Sequence, residues 1–416
     1  MSARIAVISY HSSPLNAPGS GDSGGMTVYV RELSHALARL GFSTDIFTRA
    51  VDARHRVVDL EPGVRVVCVP AGPPEPVAKE RLGDYVDEFV AGIGAFATFQ
   101  RLAYDVVHSH YWQSGLAAKM LVERWGTPFV HSHHTLGLVK NRNLAPGDLP
   151  ESQDRVEGEL EVISEADVLV ASTDDEWGQL SCLYGAPHDR IKTIHPGVDH
   201  DLFSPGDRKL ARDRLGLSTE DRIILSVGRI QPLKGLELAV RAVEQLVPAL
   251  EGRVVLQIVG GASGRSGDDE IARLRALAAD LGVEKLVRFE GPRPHEELPA
   301  YYRAADVLAV CSHYESFGLV ALEAHASGTP VVATAVGGLS HIVRDEGSGF
   351  LIDTRDPAEF AARLKTVLSD PSLLRRFGRE AQSAAASFSW DETAGELADL
   401  YHCLVSERQP EVCTCQ

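Results

Sequence analysis

Short apolar runs alternate with amphipathic stretches along the whole chain, and this alternation constrains the fold more than any other feature. The run Arg4–Ser9 is apolar through its centre, and Val307–Val310 is apolar throughout. Such runs are typical of parallel strands that helices cover on both faces. Helix-like patterns follow at Val28–Leu40 and Leu236–Val247. Strand, loop and helix in this order predict an α/β fold with doubly wound parallel sheets.

The length of the chain, 416 residues, exceeds what one hydrophobic core usually serves. The stretch Pro196–Gly206 contains two prolines and two glycines, and the alternation begins again at Ile223. We therefore expect two Rossmann-like domains that face a cleft. The first covers residues 1–200, and the second covers residues 207–388.

The charge balance is acidic, with 41 Lys and Arg against 58 Asp and Glu, a net charge of −17. This balance argues against nucleic acid and anionic membrane surfaces as partners. No run approaches the roughly 20 apolar residues of a membrane span, and no signal segment precedes the first strand. Six scattered cysteines favour a reducing, cytoplasmic location. The close pair Cys413 and Cys415 is interpreted as a frayed terminus rather than a metal site.

A glycine-rich loop, residues 19–25, follows the first strand. Glycines there can bring the backbone close to a phosphate or a sugar. Their spacing is not Gly-X-Gly-X-X-Gly, and no acidic residue clearly ends the second strand. A dinucleotide site is therefore disfavoured.

Histidines follow two successive predicted strands, at the edge where doubly wound sheets bind ligands. The polar and aromatic residues at these two strand ends are His108, His110, Tyr111, His131, His133, His134 and Thr135. Metal sites usually combine characteristic histidine spacings with acids. We therefore favour a polar pocket floor over a metal site.

Two cations and two acids in the second half suit a nucleotide-sugar. Arg229 and Lys234 lie five residues apart in a loop after a strand, where they could bind a diphosphate. Glu315 should lie in a loop that enters a helix near Gly318, and Glu323 within that helix. Alone, the acids could be an N-terminal helix acid and a solvated helix residue. Beside the cations, Glu323 could accept ribose hydroxyls and Glu315 could face a sugar.

The arrangement of Arg229 and Lys234 followed by Glu-X7-Glu at 315–323 resembles retaining glycosyltransferases of the GT-B fold, family 4. Motifs at 21–26, 108–115, 134–141 and 227–234 are similar to the branch that serves mycothiol biosynthesis. The resemblance implies transfer of N-acetylglucosamine from UDP-GlcNAc to 1D-myo-inositol 3-phosphate. It also implies that a C-terminal helix crosses back, so that residues 391–416 join the first domain, and that a homodimer is possible.

The resemblance assigns roles to individual residues. It implies that the acceptor is bound by Lys79, Tyr111, Thr135 and Arg155, with Thr27 beside them. It implies that the donor is bound by Gly24, Gly25, Arg229, Lys234, Arg293, Glu315 and Glu323. The catalytic set comprises His134, Arg229, Lys234 and Glu315. The family has no catalytic cofactor, and a structural magnesium ion would be held near Tyr302, Arg303, Ala305 and Thr329, largely by backbone carbonyls.

One departure from the family pattern affects the acceptor. Thr27 stands where the mycothiol enzymes have an asparagine, and His133 and Gly137 also differ. The acceptor could therefore be another cyclitol phosphate or sugar phosphate, as in a sucrose-phosphate-synthase-like or antibiotic-pathway transferase. A non-catalytic sugar-phosphate-binding relative and a GT-B epimerase or phosphorylase are further alternatives, although no convincing pyridoxal phosphate lysine is found.

Overall fold

A computed structural model describes residues 3–19, 23–51, 56–250, 253–263 and 267–408. Within these ranges the chain forms two α/β halves, each built on one sheet. Residues 20–22 of the predicted glycine-rich loop lie outside the described residues. So does the tail with Cys413 and Cys415, and the predictions made for these segments stay predictions.

The N-terminal sheet is parallel apart from one edge. Its described strands are β1 (Arg4–Ile8), β2 (Ser43–Arg49), β3 (Arg56–Glu61), β4 (Val64–Val69), β5 (Val106–His110), β6 (Phe129–Ser132), β7 (Val168–Ala171) and β8 (Ile191–Thr193). They lie in the order β3-β4-β2-β1-β5-β6-β7-β8, and β3 alone of these strands pairs antiparallel, with β4. The apolar runs predict neither β3 nor β8, because β3 is mostly exposed and β8 has only three residues.

The C-terminal sheet is parallel throughout the described strands. These are β9 (Arg222–Val227), β10 (Val254–Val259), β11 (Val287–Gly291), β12 (Val307–Val310), β13 (Val331–Thr334) and β14 (Gly349–Ile352). Their order, β11-β10-β9-β12-β13-β14, is the doubly wound order. It reverses direction between β9 and β12, as the N-terminal sheet does between β1 and β5.

Helices cover both faces of each sheet. In the N-terminal half they are α1 (Gly25–Arg39), α2 (Val86–Gln100), α3 (Trp112–Trp125), α4 (Gly137–Arg142), α5 (Gln153–Glu165) and α6 (Asp174–Tyr184). The chain continues with α7 (Arg208–Arg214), α8 (Leu236–Leu246), α9 (Gly267–Asp280), α10 (Leu298–Ala304), α11 (Leu319–Ala326), α12 (Leu339–Ile342), α13 (Pro357–Ser369), α14 (Pro371–Ala385) and α15 (Trp390–Arg408). Short 3-10 helices lie at Lys79–Tyr85, His188–Arg190, Pro232–Lys234 and His295–Glu297. No helix in the described part of the chain combines the length and apolar character that crossing a membrane requires.

The strand β1 shows why the apolar runs are continuous. Ile5 and Val7 belong to the core cluster between the sheet and helices α1 and α15. Ala6 and Ile8, on the opposite face, belong to the cluster beneath α2 and α3. Because both faces are buried, the strand is apolar on both. The predicted α/β class with two doubly wound sheets is confirmed.

The last helix, α15, returns to the N-terminal half. It packs along α1, and Arg39 forms an ion pair with Asp391 at 2.6 Å. Within the core, the Tyr401 hydroxyl lies 2.7 Å from His108 Nδ1. Burial lowers the pKa of His108 to about 3, so the imidazole is neutral at physiological pH. The predicted crossing of the C-terminal helix is therefore present.

Replacing Tyr401 with phenylalanine should destabilise the protein, because His108 Nδ1 would lose its partner inside the core. A buried polar group without a hydrogen bond costs about 1–3 kcal/mol. We expect Tyr401→Phe to lower the thermal unfolding midpoint measured by circular dichroism. Glu396→Gln, at an exposed position of the same helix, is the control. Equal midpoints for the two variants would contradict the assignment.

Candidate active site

Three predicted residues meet where the C-terminal sheet reverses its strand order. Arg229 and Lys234 follow β9, and Glu315 follows β12. These strands are neighbours, and open α/β sheets bind ligands in the crevice beyond such a pair. The three side chains line one cavity. The structure therefore brings the two cations and the first acid together.

Lys234 and Glu315 form an ion pair on the cavity wall. Lys234 Nζ lies 2.6 Å from Glu315 Oε2, and the Ser312 hydroxyl donates to the same oxygen at 3.0 Å. Ser312 was not predicted as a site residue, and the feature of the sequence that could have indicated it is its position just beyond β12. This arrangement keeps an ammonium group and a carboxylate oriented before any ligand binds.

The guanidinium of Arg229 has no carboxylate partner among the described residues. Its Nη1 donates to the Ser263 hydroxyl at 3.3 Å. A Cβ built on Gly24, in the opposite half, would lie 3.1 Å from Arg229 Nε. Because Gly24 has no side chain, the N-terminal half can approach the Arg229 guanidinium closely. An unpaired cation at this contact can bind an anion held between the halves.

The N-terminus of helix α1 faces the same gap. The helix begins at Gly25, and none of the described side chains caps it. A Cβ on Gly25 would lie 3.4 Å from a methyl group of Leu319, the first residue of α11. Free amides at a helix N-terminus attract anions. Gly24 and Gly25 therefore add backbone donors opposite Arg229.

The first acid, Glu315, lies in the loop before α11, as predicted. Gly318 has φ 103°, a conformation that favours glycine. The turn at Gly337 packs on this loop, since a Cβ on Gly337 would lie 2.0 Å from the Glu315 carbonyl oxygen. Two glycine positions thus fix the backbone that presents the carboxylate.

The second acid, Glu323, is buried, so the alternative of a solvated helix residue is wrong. Its Oε1 lies 2.8 Å from His295 Nε2, and its Oε2 accepts from the Tyr302 hydroxyl at 2.7 Å. His295 in turn lies 3.3 Å from Arg31 of the N-terminal half. Burial opposes protonation of His295, but the Glu323 carboxylate outweighs it and raises the pKa of the imidazole above 6.5. Sequence reasoning missed His295, which lies 28 residues from Glu323.

The predicted acceptor residues of the N-terminal half come together around one aromatic ring. Arg155 Cζ lies 5.0 Å from the ring centroid of Tyr111, and Lys79 Nζ lies 5.5 Å from it. Arg155 Nη2 also donates to the hydroxyl and the carbonyl oxygen of Thr135, each at 3.0 Å. The buried Tyr111 hydroxyl has no hydrogen-bond partner in the described part of the chain. Two cations and two hydroxyl groups therefore converge.

Two carboxylates hold the buried guanidinium of Arg155. Glu159 Oε1 lies 2.8 Å from its Nε, and Glu151 Oε1 lies 3.0 Å from its Nη1. Glu151 also pairs with Lys140. A buried charge is tolerated when it is paired and hydrogen-bonded. These acids fix the direction of Arg155, and no ion pair of Lys79 is found among the described residues.

Thr27 is buried beside a residue that the sequence analysis did not single out. Its hydroxyl lies 2.7 Å from the Ser12 hydroxyl. The ring of the neighbouring His11 lies against that of Tyr111 in a tilted arrangement, with centroids 4.5 Å apart. The short Thr27 side chain is therefore engaged within its own half.

His11 is influenced by cations of both halves. Burial lowers the pKa of its imidazole, and the charges of Lys79, Arg229 and Arg155 lower it further. Its buried Nδ1 has no hydrogen-bond partner among the described residues. The only signal for His11 was its position just after the first strand.

His134 sits on strained backbone, with φ 59°. Its Nε2 lies 2.9 Å from His110 Nδ1, and its ring meets the edge of Tyr29 at 4.9 Å. Burial lowers the pKa of His134 to about 3. The imidazole is therefore neutral at physiological pH, and it can exchange hydrogen bonds without carrying charge.

The remaining histidines at the strand ends support the core. His108 bonds to Tyr401 and to Ser132, and His131 bonds to Ser109 at 2.6 Å. Within the described ranges, no group of three or more His, Cys, Asp or Glu side chains could hold a metal ion.

Arg293 lies apart from the cavity that holds Arg229. It is half-buried after β11, and its Nη2 lies 3.9 Å from Glu290 Oε2. Its role in donor binding stays a prediction.

One of the carbonyl oxygens predicted to hold magnesium, that of Tyr302, is already engaged in hydrogen bonds. The Tyr302 carbonyl oxygen accepts from the Thr329 hydroxyl at 2.7 Å and from the Ala305 amide at 3.2 Å. Both lone pairs of that oxygen are therefore used. The Arg303 guanidinium bonds to Ser204 and Leu202. The structural magnesium stays a prediction, and no chemistry is assigned to it.

Comparison with known proteins agrees with this geometry. Residues 24–197 match the family described as glycosyl transferase 4-like domain, and residues 207–384 match glycosyl transferases group 1. D-inositol 3-phosphate glycosyltransferase 2 of Catenulispora acidiphila is 47% identical over 403 residues, which are 96% of this chain and 94% of the relative. The D-inositol 3-phosphate glycosyltransferase of Xylanimonas cellulosilytica is 48% identical over 406 residues, 96% of both chains. The structure of sucrose-phosphate synthase from Thermosynechococcus elongatus has 32% identity and a TM-score of 0.90, over 97% of this chain and 100% of that one.

The two sheets and the cleft between them define a glycosyltransferase of the GT-B class. Within that class, the chain belongs to the group 1 and 4-like glycosyl transferases, and it is similar over nearly its whole length to proteins named D-inositol 3-phosphate glycosyltransferase.

Substituting Gly24 with alanine should weaken donor binding. The added methyl group would lie 3.1 Å from Arg229 Nε, so the guanidinium would have to shift. Overpacking costs about 1–3 kcal/mol, or roughly tenfold in affinity. We expect Gly24→Ala to raise the KM for the nucleotide-sugar about tenfold. Gly395→Ala, where a Cβ meets nothing within 4 Å, should leave KM unchanged, and equal KM values for both variants would contradict the close approach.

Proposed function

We propose that this glycosyltransferase moves N-acetylglucosamine from UDP-GlcNAc to 1D-myo-inositol 3-phosphate with retention of configuration. The observation that carries the proposal is that cations of the two halves lie on either side of the cleft: Arg229 lies against Gly24 of the opposite half, and Lys79 and Arg155 lie around Tyr111. Two cationic clusters on opposite sides of one cleft suit two phosphate-bearing substrates. These cations lie at the cleft of a protein whose net charge is −17.

The donor occupies the C-terminal half in this proposal. Arg229 binds the diphosphate as a bidentate donor, and Lys234 binds it as a point charge. Because Lys234 is already paired with Glu315, an arriving diphosphate shares the ammonium and leaves the Glu315 carboxylate free to accept from sugar hydroxyls. Glu323 accepts from the ribose.

The acceptor phosphate occupies the cluster around Tyr111. Arg155 is held by its two carboxylates, so it presents a fixed direction to the phosphate. Lys79 supplies the second charge, and the hydroxyl groups of Tyr111 and Thr135 supply neutral hydrogen bonds. The hydrogen bonds from Arg155 and Lys79 to the phosphate are charge-assisted, and such bonds are stronger than those between neutral groups.

The sugar is transferred on the face from which the diphosphate leaves. Arg229 and Lys234 stabilise the negative charge that grows on the leaving diphosphate. The leaving phosphate takes the proton from the acceptor hydroxyl, which attacks on the same face. Glu315 is paired on the donor side, so the two-carboxylate scheme of glycoside hydrolases does not apply. The neutral His134 orients the sugar by hydrogen bonds and does not transfer a proton.

A second acceptor class follows from Thr27. Its hydroxyl is engaged with Ser12, and it cannot donate the two amide hydrogens of an asparagine. The sucrose-phosphate synthase of similar fold is 32% identical. A hexose phosphate such as fructose 6-phosphate is therefore the alternative acceptor.

A donor-by-acceptor screen tests the proposal. UDP-GlcNAc, UDP-glucose and ADP-glucose are each combined with inositol 3-phosphate or fructose 6-phosphate. Released nucleotide is measured by a coupled assay, and the product is analysed by mass spectrometry and by anomeric NMR couplings. We expect turnover with UDP-GlcNAc and inositol 3-phosphate, giving the α-anomer. Turnover with fructose 6-phosphate alone would assign the alternative, and an inverted product would refute retention.

Lys234→Ala should remove most of the activity, because Lys234 stabilises charge in the transition state and orients Glu315. Loss of one such donor lowers kcat about 10²–10³-fold. Steady-state kinetics at saturating substrates measure the effect. The exposed Lys209 of the same half provides the control variant Lys209→Ala. Full turnover by Lys234→Ala would refute the diphosphate assignment.

Lys79→Met should affect the acceptor and not the donor. Loss of one charge-assisted hydrogen bond costs about 1.5–3 kcal/mol, so we expect the acceptor KM to rise at least tenfold. The donor KM should stay within about twofold. Lys192→Met, at an exposed strand position of the same half, is the matched control. A rise in the donor KM instead would move Lys79 out of the acceptor site.

A further inference from the structure

We infer that His295 is a positioning residue for the ribose-binding carboxylate Glu323, and that through Arg31 it links this carboxylate to closure of the two halves. The inference rests on the proposed function in one respect, namely that the donor contains a ribose. It concerns residues that the family resemblance did not assign.

Two buried side chains donate hydrogen bonds to the Glu323 carboxylate, one to each oxygen. His295 Nε2 lies 2.8 Å from Oε1, and the Tyr302 hydroxyl lies 2.7 Å from Oε2. Each carboxylate oxygen has two acceptor positions, so one position on each oxygen remains free. A pair of adjacent hydroxyls, such as the 2′ and 3′ groups of a ribose, matches that remaining pair. Both supporting side chains are buried, which fixes the carboxylate rotamer.

Arg31 fixes the tautomer of His295. Its Nη2 lies 3.3 Å from His295 Nδ1, and a guanidinium can only donate. Nδ1 must therefore accept, and the proton must reside on Nε2, where it is donated to Glu323. Arg31 belongs to α1 and His295 to the C-terminal half, so this contact exists only when the halves are together.

Protonation of His295 opposes this contact. With a proton on Nδ1, two donors would face each other. Glu323 holds the pKa of His295 above its ordinary value, against the effects of burial and of Arg31. The other charged groups nearby are Glu32 on α1 and Glu296, whose Oε1 lies 3.9 Å from Arg31 Nη1. As the pH falls through the pKa of His295, the imidazole gains a proton, the Arg31 contact is lost, and donor affinity should fall.

Binding of UDP and of 2′-deoxy-UDP, measured by calorimetry between pH 6 and 8.5, tests the inference. Wild-type protein should bind UDP more tightly than 2′-deoxy-UDP, and its affinity for UDP should decrease as the pH is lowered. His295→Ala should reduce the preference for UDP about tenfold. His295→Gln can donate to Glu323 and accept from Arg31, so it should keep the preference and show less dependence on pH. Ionisation of UDP itself cancels when variants are compared at one pH.

Arg31→Met separates the two parts of the inference. It removes the contact between Arg31 and His295 that joins the two halves, and it leaves the hydrogen bond from His295 to Glu323 in place. It should keep the preference for UDP and lose the fall in affinity at low pH. Glu297→Gln, an exposed neighbour of His295, should behave as wild type. Thermal unfolding of each variant confirms that it is folded.

Several results would overturn the inference. An unchanged preference in His295→Ala would remove the positioning role, and a wild-type pH profile in His295→Gln would remove the link to closure. Equal wild-type affinity for UDP and 2′-deoxy-UDP would refute ribose binding by Glu323 and leave the transferase activity standing. If ADP or GDP binds better than UDP, the proposed donor is wrong, and the same comparison is made with that nucleotide and its 2′-deoxy form.

Discussion

The reversal of strand order in two parallel sheets is the constraint on which the rest of this structure depends. In such a sheet the chain leaves two neighbouring strands in opposite directions, and a crevice opens beyond their carboxyl ends. Gly24 follows β1 and Tyr111 follows β5, the pair at the N-terminal reversal. Arg229 and Glu315 follow β9 and β12, the pair at the C-terminal reversal. Because the two crevices face each other, backbone topology alone places the two sets of groups across one cleft.

Charge in the cleft is stabilised by pairing before substrate arrives. Arg155 is buried and would be costly alone, and Glu151 and Glu159 compensate it. Lys234 and Glu315 compensate each other in the same way. Arg229 differs, because within the described chain its side chain bonds to a hydroxyl group and to no carboxylate. An arriving anion therefore meets Arg229, which has no carboxylate partner among the described residues, and Lys234, which can bind the anion and Glu315 at the same time.

The two halves meet through a few specific contacts. Gly24 approaches Arg229 without a side chain between them, Arg31 reaches His295, and the Tyr314 hydroxyl donates to Gln179 at 2.9 Å. These contacts lie beside the groups that the proposed reaction uses. Interfaces of modest, polar character allow relative movement of domains, so the contacts that form on closure can also organise the site.

The sequence by itself determined the α/β class, most strands of both sheets, and the grouping of Arg229, Lys234 and Glu315. The strands are local features, since an apolar run buried on both faces can be recognised within a few residues. Lys234 and Glu315 lie 81 residues apart, and they were grouped by the chemistry that a nucleotide-sugar requires and by the family resemblance. Only the tertiary structure decided that Glu323 is buried against His295 and Tyr302, that the His11 ring lies against Tyr111, and that the Tyr302 carbonyl is already engaged. These facts depend on which side chains from distant segments pack together, and neither periodicity nor spacing along the chain encodes that packing.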